Sequence, residues 1–92
     1  MITSFKHKGL SELFASNKSA KIPKPFHHRI LRQLDALDNA SRPGDMDIPG
    51  WDFHGLKGFK PARYAVSVNG PWRITFAFDG MDACHVDFEQ YH

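Results

Sequence analysis

The chain has 92 residues, 41% of them hydrophobic and 13% aromatic, with a formal net charge of +2 and one cysteine. That is enough apolar material for one core, so 1–92 is expected to be a single domain and disorder is excluded. A lone cysteine permits no internal disulfide, no apolar run is long enough to span a membrane, and no apolar signal core follows Met1 to Lys6. A cytoplasmic protein is expected.

The charge is uneven. Residues 1–43 carry eight Lys or Arg against three acids, and residues 44–92 carry four against seven. A basic half can steer a polyanion such as RNA, although solvated lysines on helices give the same count.

Two segments have helical spacing. In S-F-K-H-K-G-L-S-E-L-F-A-S the apolar positions are Leu10, Leu13 and Phe14, with Ser4 as a candidate cap. In P-F-H-H-R-I-L-R-Q-L-D-A-L-D, Phe26, Ile30, Leu34 and Leu37 share a face, Pro25 suits the first turn, and Arg29, Arg32 and Gln33 are expected to face water. The stretch N-A-S-R-P-G-D-M-D-I-P-G is a loop.

The period then changes to two. After a strand predicted around 51–56, Tyr64, Val66 and Val68 alternate with Ala65 and Ser67; Asn69-Gly70 is a hairpin signal. Trp72, Ile74, Phe76 and Phe78 then alternate with Arg73, Thr75 and Ala77, and beyond Asp79-Gly80 Cys84, Val86 and Phe88 alternate with Ala83, His85 and Asp87. These elements make an α+β fold: two N-terminal helices packed on one face of a mostly antiparallel sheet of three to five strands. Successive strand side chains point to opposite sides. Burying Trp72, Ile74 and Phe76 therefore sends Arg73 and Thr75 outward, on a face shared with Ala65, Ser67, Ala77, Ala83, His85 and Asp87. A cation amid small residues can bind an anion there.

His54-Gly55-Leu56-Lys57-Gly58 is a second candidate, because the glycines permit a tight turn and His54 and Lys57 sit three apart at a strand end. A solvated turn is the simpler account of that motif alone. The six histidines and one cysteine show no zinc spacing, and no nucleotide-binding glycine loop occurs. Paired His27 and His28 are expected to face solvent, and Cys84 is expected to pack as a small apolar residue. Tyr91 is the aromatic placed to stack on an unpaired base. His54, Lys57, Arg73, Tyr91 and His92, with Asp87 nearby, suit RNA backbone cleavage: the substrate's 2′-hydroxyl is the nucleophile, imidazoles move protons, and Lys and Arg stabilise charge on phosphorus without a metal or cofactor.

The opening I-T-S-F-K-H-K-G-L-S-E-L-F, the central D-F-H-G-L-K-G, the pair Y-A-V-S-V-N-G-P-W-R-I-T-F and the ending D-F-E-Q-Y-H together resemble a HigB-type toxin of type II toxin–antitoxin modules, within the RelE/ParE superfamily. The resemblance implies a RelE-like microbial RNase fold over the whole chain. It further implies a ribosome-dependent endoribonuclease that cuts messenger RNA in the A site of the 70S ribosome and inhibits translation. The implied partner is a HigA-type helix-turn-helix antitoxin, with operator DNA touched only through it. The implied active residues are His54, Lys57, Arg73, Tyr91 and His92, with Lys57 and Arg73 on the scissile phosphate, Tyr91 on a base, and His92 and His54 in proton transfer. The family ending would be E-D-Y-H, whereas position 90 here is Gln. Gln can hydrogen-bond but cannot act as a base: either the acid mainly positions its neighbours, which Gln does in part, or Asp87 or Glu89 covers for it, or cleavage is slow or altered in codon preference. The competing functions are a ParE-like gyrase inhibitor and a non-catalytic ribosome- or RNA-binding module.

Overall fold

The computed structural model describes residues 1–90. Helices α1 (Lys8–Ser16) and α2 (His27–Asn39) precede four strands, β1 (His54–Leu56), β2 (Arg63–Asn69), β3 (Trp72–Asp79) and β4 (Asp82–Gln90). The strands pair in sequence order and every pairing is antiparallel. The expected α+β arrangement is therefore present, with four strands.

Both helices bury one stripe against one face of the sheet. Leu10 and Leu13 of α1, and Ile30, Leu34 and Leu37 of α2, meet Val66, Ile74, Phe76 and Val86, all fully buried. Trp72 and Phe88 stack with ring centroids 4.6 Å apart and extend this core toward the end of β4. Truncating the buried Phe76 ring to Ala would cost about 3–5 kcal/mol.

Helix α1 starts one turn later than the sequence suggests. The His7 ring, not Ser4, caps it: Nδ1 accepts from the Gly9 N–H at 3.0 Å. Ser4 Oγ instead accepts from the His85 N–H, joining the N-terminal segment to β4. That close packing also explains Gly9, where a Cβ would lie 2.8 Å from His7 Cε1 and 2.9 Å from Lys21 Cβ. The segment continues alongside β4 through parallel bridges Ile2↔Ala83 and Phe5↔Val86, covering the edge that β4 would otherwise present.

Two residues expected in water on α2 are structural. Gln33 is fully buried and its Nε2 donates to Ser67 O at 2.8 Å. Arg29 donates to Ser67 O and, through Nη2, to Gly50 O at 2.8 Å. The cause is an irregularity in β2 between Ser67 and Asn69, which leaves the Ser67 carbonyl needing partners from outside the sheet. His27 likewise departs from expectation: its Nε2 lies 2.8 Å from Ile22 O, while His28 is exposed as predicted.

The strand predicted for 51–56 is confined to β1. Trp51 is buried from a loop, and Asp52 has φ +49°, which interrupts extended backbone before His54.

Candidate functional site: the sheet face opposite the helices

Register assigns each strand residue to a face, because directly paired residues project to the same side. Three rows lie on the side away from the helices. One is Leu56, Arg63, Ala77 and Cys84; the second is His54, Ala65, Thr75 and Asp87; the third is Ser67, Arg73 and Glu89. His54 and Arg73 thus share the face that alternation predicted, in adjacent rows two strands apart. Lys57 is exposed in the turn that follows β1. Tyr91 and His92 lie outside the described residues.

Alternation fails in β4. Thr75 pairs with Asp87 and Ala77 with Cys84, so β4 carries one residue more than β3 between these pairs. The extra residue is a bulge at His85, whose φ is +53°. Parity reverses there. Ala83 joins the core, whereas Cys84 lies on the outer face beside Ala77, the opposite of the expected assignment. Cys84 is buried even so, and that burial raises its thiol pKa, with Asp79 adding to the rise and Arg63 opposing it.

The outer face is also less open than its small residues suggested. Ala65, Thr75 and Ala77 are all buried. Over Thr75, Arg63 Nη2 donates to Thr75 Oγ1 at 2.7 Å and to Glu89 Oε2 at 3.4 Å, and the Thr75 hydroxyl donates to the same carboxylate. The Arg63–Thr75–Glu89 network is absent from the residues that the sequence motifs single out. The signal was present: Arg63 precedes Ala65 by two residues and shares its parity.

Arg73 projects away from the hydrophobic interior. Its Nη1 donates to Gly70 O at 2.7 Å, to Trp72 O at 3.0 Å and to Ser67 Oγ at 3.4 Å, holding the guanidinium over the β2–β3 turn. That turn uses Gly70 at φ +55°, the left-handed conformation its Asn-Gly sequence favours. Ser67 is in turn fixed through its carbonyl by Arg29 and Gln33, so α2 positions Arg73 from the far side of the sheet.

His54 Nδ1 lies 2.9 Å from Asp52 O. A carbonyl only accepts, so the proton of the neutral ring sits on Nδ1 and the basic nitrogen is Nε2. Register also settles the geometry around position 90. Glu89 is opposite Arg73, while Gln90 is opposite Trp72 and shares its side of the sheet. Of the acids near the end of β4, Asp87 and Glu89 are the ones on the Arg73 face.

A hollow of about 270 Å³ continues this face beyond Arg63, lined by Lys6, Phe59, Lys60, Arg63, Ala77 and His85. A larger hollow, about 920 Å³, lies elsewhere, between the end of α1 and the start of α2. It holds none of the predicted site residues. Among the described residues no group of three or more His, Cys, Asp or Glu could hold a metal ion, and no helix is long and apolar enough to cross a membrane.

Two helices on one face of a four-stranded antiparallel sheet agree with the α+β fold of the RelE-like toxins. Residues 3–92 match the model of the HigB-like toxin family, described as RelE-like toxin of type II toxin–antitoxin system HigB, and the chain belongs to that family. It is 38% identical over 92 residues to Endoribonuclease HigB of Proteus vulgaris, covering all of both chains. It is also 31% identical over 84 residues to Toxin HigB-1 of Vibrio cholerae serotype O1, covering 88% of each. HigB toxins of type II systems pair with an antitoxin, so a protein partner follows from the family.

Proposed function

We propose that this toxin is an endoribonuclease that cleaves messenger RNA on the ribosome, with the sheet face opposite the helices as its active surface. The observation that carries this is the placement of Arg73: it is outward, anchored to the β2–β3 turn and shares its face with His54. The similarity to an endoribonuclease across the full length supports the same chemistry.

The proposed reaction forms a bond between the 2′-oxygen and phosphorus and breaks the bond from phosphorus to the 5′-oxygen. His54 Nε2 takes the 2′-hydroxyl proton. Arg73 and Lys57 stabilise the charge that grows on the phosphoryl oxygens, Arg73 by a planar fork matched to them. His92 returns a proton to the departing 5′-oxygen and Tyr91 stacks on a base. Glu89, opposite Arg73, supplies the carboxylate that Gln90 lacks and acts as a positioning residue. The products are a 2′,3′-cyclic phosphate and a 5′-hydroxyl, and every step uses side chains alone. In the cell the chain works in the cytoplasm and is neutralised by a HigA-type antitoxin, through which it reaches operator DNA.

The test is cleavage of ribosome-bound messenger RNA carrying a 2′-O-methyl group at the scissile nucleotide. Loss of cutting there, with cyclic phosphate ends on the unmodified message, is expected. Products bearing 3′-hydroxyl and 5′-phosphate ends would overturn the mechanism. Intact message with tight ribosome binding would make the protein a binding module.

A further inference from the structure

We infer that the hollow beside Arg63 is a second anion subsite, which holds a phosphate and base of the RNA strand a short way along from the linkage being cut. This rests on the proposed RNA-cleaving function and adds residues to it. Among the described lining residues Lys6, Lys60 and Arg63 are cationic, His85 is an imidazole, and none is acidic. Gathering like charge around one hollow is unfavourable unless a counter-charge visits it.

The site is built rather than incidental. Lys6 is held against β4 by its own N–H, which donates to Val86 O at 2.8 Å. His85 is placed by the bulge, which puts two consecutive residues, Cys84 and His85, toward the outer side. Arg63 is anchored through one nitrogen: among the described residues both of its side-chain hydrogen bonds leave from Nη2. A guanidinium has five donors, so the network fixes its direction without exhausting it. Glu89 offsets part of the Arg63 charge, while the exposed lysines remain to meet a phosphate.

Phe59 identifies the ligand as more than a free phosphate. It is 50% exposed, one of the few large hydrophobic side chains left in solvent, and the Arg63 guanidinium sits 5.6 Å from its ring centroid. That cation–π pairing steadies a flat apolar platform beside the basic cluster, the combination that single-stranded RNA uses. Along β3, Arg73 and Ala77 are four residues apart, about 13 Å at ordinary strand rise. The two anion sites thus fall on one face about two nucleotide steps apart, too far for a single phosphate to fill both.

The test measures binding of a short 2′-O-methyl oligoribonucleotide, which cannot be cleaved, by fluorescence anisotropy over a range of KCl. The variants are Lys6→Ala/Lys60→Ala and Phe59→Ala, all at exposed positions, with circular dichroism as the folding control. The double variant should bind more weakly at low salt, and the slope of log affinity against log salt should fall by about 0.7 for each lysine lost. Phe59→Ala should weaken binding by about fivefold or more without changing that slope. Parental slopes in the double variant, or no binding by the parent at low salt, would overturn the inference. So would unchanged RNA binding with weakened antitoxin binding, which would assign the hollow to an acidic protein segment. Scissile-position cleavage on ribosomes is scored separately, so the subsite can fail while the nuclease stands.

Discussion

Thr75→Val removes one hydroxyl from the network over the sheet face and keeps the shape of the side chain. Thr75 is buried, its hydroxyl serves both Arg63 and Glu89, and the Arg63 side chain is only 13% exposed. Hydrogen bonds to charged groups contribute about 1.5–3 kcal/mol each. The Glu89 bond counts for less because that side chain is 44% exposed and can turn to water. The new methyl returns about 0.8 kcal/mol. The net loss is about 2–3 kcal/mol, which in a domain of this size lowers Tm by about 10–20 °C. Thr75→Ser keeps the hydroxyl and should cost about 1 kcal/mol. Thermal unfolding followed by circular dichroism compares the three proteins. A Val variant as stable as the Ser variant would refute the claim that Thr75 holds Arg63 in place.

Three further outcomes follow from individual side chains. Gln33→Met loses the bond to Ser67 O but also removes a buried Gln33 Oε1 with no hydrogen-bond partner among the described residues, and Arg29 keeps Ser67 O satisfied. Its stability in urea should stay within about 1 kcal/mol of the parent, whereas Gln33→Ala should cost about 2–3 kcal/mol. The Ser19 hydroxyl, and after it Lys21, hold the Glu12 carboxyl below the usual glutamate pKa. A depressed carboxyl contributes stability above its unfolded pKa and loses it as pH falls through the folded one. The Tm advantage over Glu12→Gln should therefore be present at pH 7 and shrink as the pH falls below about 4. Burial raises the Cys84 pKa, so at neutral pH the native thiol should alkylate several-fold more slowly than in the urea-unfolded chain. Equal rates would contradict the burial of Cys84.

Periodicity carried most of the architecture, and it failed where one residue changed the count. The core faces of α1 and α2, and the outward side of Arg73, follow from spacing alone. The His85 bulge does not, because nothing in D-A-C-H-V-D-F marks a positive φ at a histidine. Polarity alone places Arg29 and Gln33 in solvent; their partner is a backbone carbonyl exposed by an irregularity in β2, which no local pattern encodes. Within the candidate site, His54 and Arg73 were legible as separate signals in a turn motif and a strand. Their shared face needed the register across β2. The role of Arg63 is not legible locally, because its network partners, Thr75 and Glu89, are 12 and 26 residues away.

Arg73→Ala against Arg32→Ala, in single-turnover cleavage of ribosome-bound messenger RNA, tests most directly whether the outer sheet face does the chemistry. Arg32 is exposed on α2, on the helical side of the molecule. With both variants folded, removing Arg73 should slow cleavage by about 10²- to 10³-fold, and removing Arg32 should leave the rate within about twofold. Equal rates for the two variants, or a larger loss at Arg32, would contradict the assignment of catalysis to the Arg73 face.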